Sequence, residues 1–163
     1  MRCYIASVVN EKIDPFLEQN GFCHGLIIFA VPELGLLFRC RAEGTSIDLE
    51  FGAFFSLLRF LKTYLIGDRI NRLQVLSSNP EFVFSFTPKS KHLAEGSTRR
   101  KLLKEFGSHL DLQVGLVESQ KNRCLAAPGE FPSMPENAPP ILKPTVKHDS
   151  RIECMPFQRG IQL

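Results

Sequence analysis

Glu50 stands in the stretch Thr45 to Leu61, TSIDLEFGAFFSLLRFL, four residues before Phe54 and seven before Leu57. On a helix it therefore heads the stripe of side chains that must face inward. An acid there either serves the helix end, where the macrodipole favours negative charge, or looks into a site. Asn79, in Ser78-Asn79-Pro80-Glu81, reads first as a helix N-cap followed by proline at the first helical position and an acid in the first turn. The strongest clustering of charge is Lys89, Lys91, His92, Arg99, Arg100, Lys101 and Lys104, a surface that could contact phosphate, although Glu95 and Glu105 dilute it. His24, His92, His109 and His148 are scattered and accompany no nucleophile in a recognisable turn, which argues against a triad.

These residues need elements to position them. Residues 2–9, RCYIASVV, 21–31, GFCHGLIIFAV, and 34–42, LGLLFRCRA, are rich in β-branched and aromatic residues and read as three strands. The short PELG between the last two predicts an antiparallel hairpin. Segment 10–20 reads as a long connection or a short helix. After Ala42-Glu43-Gly44, Leu49, Ala53, Phe54, Leu57, Leu58, Leu61 and Leu65 recur at helical spacing, with Gly52, Ser56, Arg59 and Thr63 as a narrow polar strip, so the helix is buried on most sides. Thr45 or Ser46 caps it, Asp48 lies in its first turn, and Gly67-Asp68-Arg69 ends it.

Strand 71–77 alternates Leu73, Val75 and Ser77 against Gln74 and Leu76, then Asn79 starts a helix that Pro88 limits to about two turns. Ser97 or Thr98 begins an amphipathic helix with Leu102, Leu103, Phe106 and Leu110 inward and Arg100, Lys101 and Lys104 outward. Residues 110–118 form the last strand. From Ala127 prolines crowd and neither period is sustained, which predicts a proline-rich extension, 127–163, that is extended, mobile or laid across domain 1–126. Its Phe131, Met134, Ile141, Leu142, Met155 and Phe157 favour packing on the domain or on a partner.

The composition narrows the class. With 44% apolar and 23% charged residues the chain is a folded protein, and no apolar run approaches the roughly 18 residues of a membrane span. The N-terminal apolar segment reads as a strand rather than a signal peptide. Five widely spaced cysteines without a C-x-x-C pair predict reduced thiols and a cytoplasmic protein. Cys23 and His24 point to opposite faces of a strand and cannot readily share a metal. A net charge of +3 is only mildly basic, so nucleic-acid binding would have to rest on the local cluster.

The order β-β-β-α-β-α-α-β resembles the ribonuclease H-like superfamily, an α/β fold with a mixed five-stranded sheet and helices packed on it. Thr45 through Glu50 to Leu61 is similar to the family segment that places a catalytic Glu in the first turns of the long helix. LQVLSSNPEFV is similar to the fourth strand and the catalytic Asp after it, with Asn79 in the Asp position. Region 89–104 falls where some members carry a basic protrusion, and VESQKNRCLAA falls where the family has an Asn shortly before its last catalytic Asp. The likeness covers residues 1–126.

The resemblance implies two divalent cations held by four acidic groups for phosphodiester cleavage. Here the first strand offers only Ala6 and Ser7, the second Asp is Asn79, and the last falls near Leu125 or Ala126. Only Glu50 remains, and one carboxylate with one amide is a poor site for Mg²⁺. Asp14, Asp48 and Asp68 lie at no predicted strand end facing it. The expectation is a pseudoenzyme: a non-catalytic binding or interaction module with Glu50 and Asn79 vestigial, no metal and no cofactor. One alternative is nucleic-acid binding through Lys89, Lys91, Arg99, Arg100, Lys101 and Lys104. The other is a divergent nuclease using Glu50, which alone would require Mg²⁺. The partner is a protein or a nucleic acid, and no membrane.

Overall fold

Pro32 to Leu34 form a single 3-10 turn after Val31, and Gly35 closes it in the left-handed region at φ 61° and ψ 33°, its N–H donating to the Pro32 carbonyl at 2.9 Å. A glycine carries this conformation without the Cβ penalty, and the chain can reverse tightly. Strands β2 (Cys23–Val31) and β3 (Leu36–Gly44) consequently pair antiparallel in the hairpin the sequence predicts. The computed structural model describes residues 1–9, 23–64, 70–88, 90–125, 153–154 and 158–159. Segment 10–20, the helix end at 67–69 and Lys89 lie outside them.

Strand β1 (Arg2–Val9) pairs antiparallel with β2 and parallel with β4 (Arg72–Ser77), and β5 (Asp111–Leu116) pairs parallel with β4. The order is β5-β4-β1-β2-β3, the mixed five-stranded sheet that the resemblance implied. Two further strands, β6 (Glu153–Cys154) and β7 (Gln158–Arg159), come from the proline-rich extension and pair antiparallel with β3, Cys40 opposite Cys154 and Leu37 opposite Gln158. This part of the extension lies on the domain's own edge, where unpaired N–H and C=O groups would otherwise invite another chain.

Helix α1 (Ser46–Tyr64) lies across the sheet. Its Leu49, Ala53, Phe54, Leu57, Leu58 and Leu61 are buried against Cys3, Ile5, Ile27, Phe29, Leu73 and Val75 of the strands. Full burial of a large apolar side chain contributes roughly 1.5–3 kcal/mol, so this seam is the main source of stability. The approach is close: a Cβ on Gly25 would come within 2.7 Å of Leu49 Cδ1 and of the Val8 carbonyl oxygen. Phe51 and Phe60 are buried as well, outside the stripe that periodicity marks.

Helix α2 (Pro80–Phe84) ends sooner than Pro88 would require, and is anchored by Phe82, whose ring lies 5.1 Å from that of Phe51 and 5.4 Å from that of Phe54. Helix α3 (Thr98–Gly107) starts at Ser97, whose hydroxyl accepts from the Arg100 N–H. Its Leu103 and Phe106 pack on the core with Leu110 just beyond, and Leu102 is half-buried. The opposite sheet face carries a smaller cluster of Ala6, Ile28, Ala30 and Leu37, with Cys124 from the turn after β5 packed among them. Among the described residues no helix is long and apolar enough to cross a membrane.

Candidate functional site

Parallel pairing of β1 with β4, Ile5 opposite Ser77, brings the carboxyl ends of the two strands side by side under the first turns of α1. Alternation turns Ser7 and Ser77 to the helix face, toward Glu50. Glu50 is 1% exposed, and both carboxylate oxygens are engaged: Ser7 Oγ donates to Oε2 at 2.7 Å and Ser77 Oγ to Oε1 at 2.5 Å. Ser77 Oγ in turn accepts from the Asn79 N–H at 2.9 Å. Asn79 caps α2, its Oδ1 accepting from the Phe82 N–H at 3.2 Å.

An open cavity of about 340 Å³ lies over this group, lined among others by Ser7, Ser46, Glu50, Ser78, Asn79 and Leu125. The buried Asn122 holds its rim: Nδ2 donates to the Ile5 carbonyl at 2.9 Å and to Ser78 Oγ at 3.0 Å, while Oδ1 accepts from the Cys124 N–H at 3.0 Å. This clamp seats the turn that carries Leu125 against the ends of β1 and β4. The structure thus brings together Ala6, Ser7, Glu50, Asn79 and Leu125, the positions that the resemblance connects to metal-bound acids.

The donor set does not fit that chemistry. A divalent magnesium site needs negative oxygens with free lone pairs, usually one or two carboxylates beside substrate phosphates. Here a single carboxylate is already hydrogen-bonded through both oxygens and its neighbours are hydroxyls, an amide and a leucine. Among the described residues no three His, Cys, Asp or Glu side chains are grouped as a metal would require. Asp48 lies elsewhere, in a cap at the start of α1, where its N–H donates to Thr45 Oγ1 at 3.2 Å and its carboxylate accepts from the Thr45 N–H at 3.2 Å. Asp14 and Asp68 are outside the described residues.

The basic cluster divides in two. Arg99 turns inward: it pairs with Asp48, donates through Nη1 to His92 Nδ1 at 3.0 Å, and lies 4.3 Å above the Phe51 ring centroid. Arginine can only donate, so His92 Nδ1 is the acceptor and Nε2 carries the hydrogen facing Glu81 Oε1 at 3.2 Å. Burial acts to raise the Asp48 carboxyl, but the Thr45 hydrogen bonds and the Arg99 guanidinium outweigh it and hold the group below its ordinary value. Lys91, Arg100, Lys101 and Lys104 are exposed, while Lys62 Nζ donates to the Glu105 carbonyl at 3.0 Å.

Ser77 is the structural partner that sequence reading did not single out, whereas Asn122 is the Asn of the segment VESQKNRCLAA that the resemblance marked. For Ser77 a signal existed: a serine continuing the inward alternation of Leu73 and Val75 calls for a buried polar group opposite it.

The strand order, the parallel β1-β4-β5 half and the long helix after the third strand make this a ribonuclease H-like fold. No family model and no curated protein matches the chain. Among solved structures it is similar to LC11-RNase H1 in complex with RNA/DNA hybrid, at 14% identity and a TM-score of 0.48 over 75% of this chain and 88% of that one. It is also similar to LC9-RNase H1, a type 1 RNase H with the type 2 active-site motif, at 10% identity and a TM-score of 0.36 over 72% of this chain and 63% of that one.

Proposed function

We propose that this chain is a non-catalytic ribonuclease H-like binding module. The observation that carries the reading is Glu50: buried, with each oxygen accepting a serine hydroxyl, it works as a structural link between α1, β1 and β4. The module needs no metal. Its compartment in this reading is the cytoplasm, supported by the buried, unbridged thiols of Cys3 and Cys124. The deciding experiment is incubation with labelled RNA/DNA hybrid, duplex DNA and duplex RNA in Mg²⁺ and in Mn²⁺. No cleavage is expected; metal-dependent cleavage abolished by Glu50→Gln would establish the divergent-nuclease alternative instead.

A second reading, nucleic-acid contact without cleavage, is favoured by Lys91, Arg100, Lys101 and Lys104, which are exposed and have no partner among the described residues. Phosphate contacts release counterions, so binding through these residues falls steeply with salt. Arg99 is not part of this surface, because Asp48, His92 and Phe51 hold it. Absent or salt-insensitive binding of duplex and hybrid would eliminate the reading.

A further inference from the structure

On the sheet face away from α1, at the other end of β1 from Glu50, lies a second cavity of about 500 Å³. That size falls within the roughly 300–1,000 Å³ of small-molecule sites. Its wall follows from register: Arg2 of β1 is opposite Gln74 of β4, and Gln74 is opposite Gln113 of β5, so a row of long polar side chains crosses three strands. Tyr4, two residues along β1, stands on the same face. Arg72 and Arg123 complete the basic part of the lining.

The polar groups are arranged as donors. Arg2 Nε donates to Gln74 Oε1 at 2.8 Å; because arginine only donates, the amide oxygen is fixed toward it and the Gln74 NH₂ is left for a ligand. Among the described residues, Arg72 spends only Nε, on Asp111 Oδ2 at 3.0 Å. Among the same residues, the terminal nitrogens of Arg2 and Arg72, and the whole Arg123 guanidinium, have no partner. Against Glu33 in the wall and Asp111 beside it, three guanidiniums leave an excess of positive charge. Planar forks of this kind suit phosphate oxygens.

We propose that this cavity binds a nucleotide: a phosphate on the Arg2, Arg72 and Arg123 donors, and a planar ring beside Tyr4 within reach of the Gln74 and Gln113 amides. The site shares no residue with the Glu50 cavity, so it stands or falls independently of the non-catalytic reading.

The test is calorimetric titration of the full chain with adenosine 5′-monophosphate, inorganic phosphate and a single-stranded oligonucleotide. The monophosphate binds, inorganic phosphate binds at least about tenfold more weakly, and Arg123→Gln weakens the monophosphate by about tenfold or more. Arg123 is exposed, so this variant keeps the fold, which circular dichroism checks. Tyr4→Leu weakens the monophosphate and leaves inorganic phosphate unchanged. Arg59→Gln, the same charge change at an exposed position of α1, leaves both unchanged. The proposal is overturned by any of four results: no binding at millimolar monophosphate, equal losses in Arg123→Gln and Arg59→Gln, inorganic phosphate binding as tightly as the monophosphate, or Arg123-dependent binding of the oligonucleotide alone.

Discussion

Ser7 on β1 and Glu50 on α1, distant in sequence, are joined by a hydrogen bond of 2.7 Å at the place where the ribonuclease H resemblance would put two metal-bound acids. A hydroxyl there donates to the carboxylate, whereas a second carboxylate would repel it. The same residue pair thus closes the cavity floor with a hydrogen bond in place of a second acid, and avoids the repulsion between neighbouring carboxylates.

Glu50 is therefore expected to support the fold. Glu50→Gln keeps one acceptor for two hydroxyls and should cost about 1–2 kcal/mol; Glu50→Ala leaves both serines without an acceptor over a void and should cost roughly 3 kcal/mol. Urea unfolding measures both. An acid kept for catalysis at the expense of stability behaves oppositely, since removing it stabilises, and a Glu50→Gln variant as stable as the parent would contradict the structural role.

Carboxylates introduced at Ser7, Asn79 and Leu125 should make the cavity a cation site. The triple variant Ser7→Asp, Asn79→Asp, Leu125→Asp gathers four acids and is less stable than the parent in the presence of a chelator. Millimolar Mg²⁺ should then raise its thermal midpoint by several degrees, about 2.7 kcal/mol at a hundredfold excess over Kd, while the parent midpoint stays put. Equal responses in both proteins would mean that the positions do not converge as the structure places them.

The sequence shows those parts of this architecture that depend on neighbours along the chain. Cys3 and Ile5, Leu73 and Val75, and the Leu49 to Leu61 stripe are legible because period 2 and period 3.6 repeat within a few residues. The Asn79 cap is legible for the same reason. Arg99 is not: it belongs to one basic run with Arg100 and Lys101, yet each helical residue turns by about 100°, and only the packing of α3 against α1 decides which of them meets Phe51 and Asp48. The Ser77 link to Glu50 likewise requires knowing that β4 lies beside β1. Strands β6 and β7 were hidden because an edge pairing of two residues is made by backbone groups and leaves no side-chain pattern.

The Arg99–Asp48 pair should give the domain a measurable acid dependence. The folded Asp48 carboxyl is depressed, with burial opposing and Thr45 and Arg99 lowering it, so its contribution is present above the unfolded value of about 3.9 and is lost as pH falls through the lower folded value. Arg99→Ala removes the ion pair and the contact with Phe51 and should cost about 1–2 kcal/mol near neutrality. The stability gap between parent and variant should narrow as pH falls from about 4 downward. Guanidinium unfolding across that range checks the sign, and a gap that widens toward acid would refute the assignment.

The extension makes its own prediction through β3. The core seam between α1 and the sheet lies within residues 1–126, so a chain ending there should keep its far-ultraviolet circular dichroism. It should not keep its association behaviour. Without β6 and β7 the edge of β3 from Leu36 to Arg41 exposes backbone groups next to the apolar Leu36, Leu37 and Phe38, and such an edge pairs with whatever strand is available. The weight-average mass of the shortened chain in sedimentation equilibrium should therefore rise more steeply with concentration than that of the full chain. Restoring 127–163 with Cys154 and Gln158 both replaced by proline, which cannot donate to the ladder, should reproduce the shortened chain's behaviour. Coincident mass profiles for all three proteins would show that β6 and β7 do not protect the edge.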